Sequence, residues 1–212
     1  MYLYDTNFQN YWVNFNNFGT VTEMYRTCRD YGVSYMYTQG AMDAYIPAFD
    51  ELRGYVESNL MWNLDLRYED LVQDFMDHYY KEASEYMHNI YVDLRDQYTY
   101  YQCSLEPSSG SIYGNTTNSK LYPASFVRKL DGYYTEAVKS IEPLKQSDPN
   151  TYQTVYNRIM KEYLSLIYIK MSLYRSYYTQ EQINEMHEIF DYYTAYYGLS
   201  KFSEGGALDN LF

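Results

Sequence analysis

The sequence predicts a mainly α protein: six or seven helices in a bundle-like array, preceded by a short β-α-β piece. Three observations carry this. After Gly40 the apolar residues recur almost throughout at helical spacing. Two short runs rich in β-formers, 2–4 and 33–38, flank one helical stretch near the start. Hydrophobic residues make up 46% of the 212 positions and charged residues 21%, enough to bury a sizeable core.

Tyr2, Leu3 and Tyr4 read as a first strand, ended by Asp5-Thr-Asn7. Residues 19–31 place Val21, Met24, Tyr25 and Cys28 on one helical stripe, stopped by Gly32. Val33 to Thr38 read as a second strand, ended by Gln39-Gly40. Strand, helix and strand joined by short links imply parallel pairing.

Residues 44–61 then align Phe49, Leu52, Val56 and Leu60. Residues 67–80 align Leu71, Val72, Phe75, Met76 and Tyr79, and residues 82–102 align Tyr86, Met87, Ile90, Leu94, Tyr98 and Tyr101. A polar stretch, 106–119, has the Gly, Ser, Asn and Pro content of a loop and is the best candidate boundary. A helix over 124–146 bends near Pro143. Asp148-Pro149 opens a long helix that is apolar on nearly every side between 163 and 174, as a central bundle helix would be. Thr179-Gln-Glu-Gln182 is a capping box for a last helix that Gly198 stops, and 202–207 reads as a loop-like tail. The expected organisation is a β-α-β unit over 1–40, helices over 41–105 and a C-terminal helical subdomain over 120–200.

The net charge is −12. That excludes a nucleic-acid binder, which needs clustered Lys and Arg, and an anionic membrane surface as partner. No run of about 18 apolar residues exists to span a membrane, and the first residues lack the basic and apolar regions of a signal peptide. Cys28 and Cys103 have no metal-type spacing; one disulfide is open to them, two buried free thiols are favoured. The 32 tyrosines outnumber 9 Phe and 2 Trp. Their rings stack well on sugars, but packing between helices accounts for most of them.

No cofactor motif is present. Glu85-x-x-His88 has the spacing of a di-iron helix without the second copy such a site needs. His187 and Asp191 lie one helical turn apart, but Asp stands where a metalloprotease motif has its second His, so no metal site is expected. Lys170 on the apolar stripe of the long helix is read as structural.

Several short pieces recur in one order: Tyr2-Leu-Tyr-Asp-Thr-Asn-Phe8, Asn16-Asn-Phe18, Tyr31-Gly-Val33, Gln39-Gly40, Leu52-Arg-Gly-Tyr55, Leu60-Met-Trp-Asn63, and Phe75-Met-Asp-His-Tyr-Tyr80 followed by Ala83. Over about residues 2–95 this order resembles the C-terminal half of a bacterial family of domain-of-unknown-function proteins, itself similar to α-glucuronidase and hexosaminidase barrels. The resemblance implies that the two strands are the last two of a (β/α)8 barrel, whose active sites lie at the C-terminal strand ends. On this chain those ends hold Asp5, Asn7, Tyr11 and Trp12, then Thr38 and Gln39, of which Asp5, Asn7, Tyr11, Trp12 and Gln39 are the sugar-binding candidates. Relatives often carry an acidic residue where Thr38 stands, a departure that speaks against a catalytic role for that strand end, and usually Gly where Lys81 stands. Glycoside hydrolysis needs two facing carboxylates, which barrels of this kind take from earlier strands. The resemblance thus implies an extracellular or cell-surface, carbohydrate-processing protein of which this chain alone is inactive.

Two parallel strands do not make a stable sheet. They call for an upstream barrel part or a second copy of the chain. Two readings stand: the C-terminal portion of a glycoside-hydrolase-like protein, or a non-enzymatic, Tyr-rich helical scaffold. Convergence of Asp5, Asn7, Tyr11, Trp12 and Gln39 on one exposed cleft favours the first; burial or scatter favours the second. A free-standing metal-binding bundle has little support.

Overall fold

The structure, a computed structural model, describes residues 1–15, 17–41, 45–106, 111–208 and 211. It is mainly helical, with a few short strands. Strand β1 (Tyr2–Tyr4) leads through helix α1 (Val21–Asp30) to β2 (Tyr37–Gln39), and the two strands pair in parallel with Leu3 opposite Thr38. The second strand is shorter than the run 33–38 suggested and is displaced toward Gln39. Gly32 closes α1 in the left-handed conformation (φ 74°), as expected of a helix stop.

Helix α2 (Asp50–Trp62) begins six residues later than the periodicity predicts. Pro47 disfavours helical backbone at Ile46, and Ala48 and Phe49 both take left-handed φ angles, 75° and 61°. Part of the expected first turn, 42–44, lies outside the described residues. The backbone N–H of Phe49 donates to Oε2 of Glu162 at 2.7 Å, so a buried carboxyl from a distant helix fixes this turn. Burial first, then the nearby Glu51 charge, pushes the Glu162 carboxyl up to about 8.

Helix α3 (Tyr68–Tyr80) runs through a short 3₁₀ turn into α4 (Ser84–Tyr100), which ends in a π-helical turn over 101–105. Helix α5 (Ala124–Ser140) is broken from the one-turn α6 (Leu144–Ser147) beside Pro143, where the sequence places a bend. Helix α7 (Pro149–Tyr174) is capped by Asp148, whose carboxylate accepts from the Thr151 N–H at 3.1 Å. It is the central helix, with α3, α5 and α8 (Gln180–Tyr197) packed on it. Both halves of the Thr179–Gln182 capping box are formed.

The tail is not a loop. Residues 201–203 (β3) and 206–207 (β4) form an antiparallel hairpin turned at Gly205, whose φ is 82°. The hairpin is held from outside: Tyr11 N–H donates to the Phe202 carbonyl at 2.9 Å and Glu204 N–H to the Phe8 carbonyl at 2.9 Å.

The segment 7–12 ties the chain together. Asn7 Nδ2 donates to the Gly114 carbonyl (2.8 Å), Phe8 N–H to the Ile112 carbonyl (2.8 Å), and Asn10 Nδ2 to the Tyr168 hydroxyl (3.1 Å). The polar stretch expected as a boundary is, over 111–119, strapped to the N-terminal segment; 107–110 lie outside the described residues. One cluster of buried apolar side chains runs from Phe8 to Leu199. Both cysteines are free, but only Cys28 is buried; Cys103, on the π-helical turn, is exposed.

Candidate functional site

At the C-terminal end of β1, the backbone N–H of Asp5 donates to the Gln39 carbonyl at 2.8 Å, prolonging the sheet by one residue. The Asp5 side chain turns into the protein. Its Oδ1 accepts from Arg53 Nη1 at 2.8 Å and from Asn17 Nδ2. Arg53 also donates to Asn17 Oδ1 and, through Nη2, to the Phe15 carbonyl at 2.9 Å, while its guanidinium lies 4.4 Å above the Phe18 ring. Burial alone would lower the Arg53 pKa, but its carboxyl neighbours, the Asp5 carboxylate first, outweigh it and hold it above its ordinary value.

One turn along α2, Glu57 completes the cluster. Burial, then its contact with Asp5, pushes the Glu57 carboxyl up to about 9. It is therefore neutral at pH 7. Asp5 Oδ2 is buried with no hydrogen-bond partner, and the Glu57 carboxyl stands beside Asp5. Tyr25 of α1 stands beside them, 3.2 Å from Thr38 Oγ1, with its hydroxyl pushed up by burial. Thus Asp5, Asn17, Arg53 and Glu57 form a closed network of two carboxyls and one cation.

The other candidates are also inward. Asn7 Oδ1 accepts from the N–H groups of Gln9 (2.9 Å) and Asn10 (3.2 Å), closing the turn after β1. Tyr11 is buried between Phe8 and the C-terminal hairpin. Trp12 is wholly buried, stacked on Phe190 at 4.8 Å, with its indole N–H on the Lys201 carbonyl at 3.0 Å. Only Gln39 reaches the outside, where its Oε1 accepts from the Tyr2 hydroxyl. Asp5 and Gln39 are thus neighbours through the sheet, while Asn7, Tyr11 and Trp12 belong to the turn and core beyond it. The five do not line one open cleft.

Arg53, Glu57, Asn17 and Tyr25 were not singled out by the sequence. The available signal was Arg53 and Glu57 four residues apart, beside the apolar stripe of Leu52, Val56 and Leu60, where a charged pair is expected to meet partners.

What does face outward at the sheet is aromatic. Tyr2 and Tyr37 lie opposite one another with ring centroids 4.9 Å apart, and Tyr4 packs edge-on to Tyr2 at 5.3 Å. All three are at least half exposed. Among the described residues no three His, Cys, Asp or Glu side chains converge to hold a metal ion, and no helix is long and apolar enough to cross a membrane. His78 Nδ1 lies 2.8 Å from the Asp74 carbonyl, and burial lowers the pKa of His88.

No curated protein and no solved structure matches the chain. Residues 1–93, which hold β1, β2, the Asp5–Arg53–Glu57 network and the tyrosine face, match the model of an uncharacterised family described as a domain of unknown function, DUF4838.

Proposed function

We propose that the chain is the C-terminal portion of a glycoside-hydrolase-like, carbohydrate-processing protein, with its main catalytic carboxylates on other segments. In this reading β1 and β2 belong to a larger parallel sheet, and the helices brace that sheet from one side. The protein works outside the cell or at its surface, where polysaccharide is met.

The observation that carries the reading is the β1–β2 sheet. It is parallel, two strands wide and three residues long, with Tyr2, Tyr4 and Tyr37 open to solvent on one face. Parallel sheets are covered on both faces, and a pair this small has too little burial to stand alone. Aromatic side chains beside open strand edges suit either further strands or sugar rings. The Asp5–Arg53–Glu57 network then serves to hold the strand ends, since a carboxylate locked under a guanidinium cannot reach a glycosidic oxygen.

Reading the gene upstream of the Met1 codon tests this. The frame is expected to continue through further strand–helix units; an in-frame stop directly upstream overturns it. The 212-residue chain is also expected to turn over no aryl glycoside. The burial of Asp5, Asn7, Tyr11 and Trp12 is the observation on the side of the second reading, a non-enzymatic helical scaffold. A closed frame at Met1 would select it.

A further inference from the structure

An open groove of about 840 Å³ lies between the segment leading into β2 and the end of α2. Its walls carry Tyr35 and Trp62, which are 87% and 91% exposed. Between them the groove presents Ser34, Arg29, Asn63 and Asp65. The far wall is preset: the Leu64 carbonyl accepts from Arg26 Nε at 3.3 Å and Nη2 at 3.0 Å, and Asn63 Oδ1 accepts from the Asp65 N–H at 2.9 Å. Asn63 therefore keeps its amide N–H groups for a ligand, and Asp65 its carboxylate oxygens.

We propose that this groove binds a neutral oligosaccharide. The inference rests on the carbohydrate reading above for the class of ligand, and names a site distinct from the strand ends. Large flat rings with nothing packed on them, interleaved with amide, carboxylate, hydroxyl and guanidinium groups, match the two sides of a sugar: C–H faces that stack and hydroxyl edges that donate and accept. Arg29 is already paired with Asp30 at 3.0 Å, so Asp65 adds negative charge to the groove, and the chain as a whole carries −12. That field repels uronate or sulfated chains, and repels a second copy of this protein. The size suits several sugar units rather than one.

The tryptophans make the test specific. There are two; Trp12 is wholly buried and Trp62 is not. Acrylamide quenching of fluorescence therefore reads Trp62. The probes are cellohexaose, xylohexaose, mannohexaose and N-acetylchitohexaose, with a hexauronate as the anionic control. At least one neutral probe is expected to shield Trp62 from acrylamide. Calorimetry should then show its affinity falling about tenfold in Tyr35→Ala and in Trp62→Ala, with circular dichroism unchanged, since neither ring supports the core. The proposal is overturned by no shielding from the four neutral probes, by equal shielding from the hexauronate, or by shielding without sugar that rises with protein concentration. If the gene extends upstream and the groove still binds nothing, the site fails and the carbohydrate reading does not.

Discussion

Glu57→Gln isolates the proton held under Arg53. Glutamine has the shape of the protonated carboxyl and carries no ionisable proton. In the folded protein Glu57 titrates at about 9, against 4.5 when unfolded. Its contribution to stability is therefore fully present below pH 4.5 and is lost as pH rises toward 9, because the unfolded chain releases a proton that the folded one retains. Each pH unit in that window costs about 1.4 kcal/mol per proton. From pH 5 to 8 the wild type should lose about 4 kcal/mol that Glu57→Gln keeps, a large part of the 5–15 kcal/mol typical of a domain. Other groups are shifted on folding as well. Glu162 and Asp50 act in the same direction and His88 in the opposite one. The difference between variant and wild type removes them. Urea unfolding at pH 5, 6, 7 and 8 should show the two proteins close together at pH 5 and diverging above it. Profiles that stay parallel across the window would refute a proton held by Glu57.

Arg53→Met should destabilise by about 3–5 kcal/mol in urea, since it leaves the Asp5 carboxylate buried without its cation. Trp12→Ala should cost a similar amount, about 3–5 kcal/mol, by opening a cavity against Phe190 and freeing the Lys201 carbonyl; the near-ultraviolet dichroism should weaken with it. Ala48→Gly should raise the melting midpoint, relieving about 1 kcal/mol of left-handed strain at φ 75°; a fall would mean that its methyl packing outweighs the strain. A fragment of residues 1–93 should give no dispersed NMR spectrum, because it loses Phe190 and Phe202 from the contacts of Trp12 and Tyr11.

The signals that read correctly from sequence are those complete within one turn of chain. The Thr179–Gln182 box, Asp148-Pro149, Gly32 and Gly198 each satisfy backbone groups locally, so nothing distant overrides them. The start of α2 was misread because its turn is fixed by Glu162, 113 residues away. The tail hairpin was misread for the same reason: the backbone of Phe8 and Tyr11 holds it, and Gly-Gly at 205–206 looks like a loop without that partner. The candidate site suffers most. Asp5 and Trp12 stand at strand ends or in loops where binding residues are sought, but sequence does not show that Arg53 and Phe190 close over them.

The tyrosines show where the outward-facing chemistry lies. In the helical body many of them act as core residues with a polar end that still needs a partner. Tyr174 donates to the Tyr122 carbonyl at 2.6 Å, Tyr163 to Asp131 at 2.8 Å, and Tyr68 meets Tyr91. Such rings join helices and leave no free face for a ligand. Near the start of the chain the pattern reverses. Nine of the fifteen exposed large apolar side chains described lie within residues 1–62, less than a third of the sequence. Scattered exposure would need no explanation; here it is concentrated around β1, β2 and the end of α2. Both the tyrosine face of the sheet and the Trp62 groove fall within the family-matched stretch, 1–93. The buried Asp5–Arg53–Glu57 network joins the strand end to α2 and meets the groove through Tyr25, which lines it. Loosening that network should therefore disturb the groove before it disturbs the α7-centred bundle, and Arg53→Met should change the acrylamide quenching of Trp62 at urea concentrations where far-ultraviolet helicity is still intact.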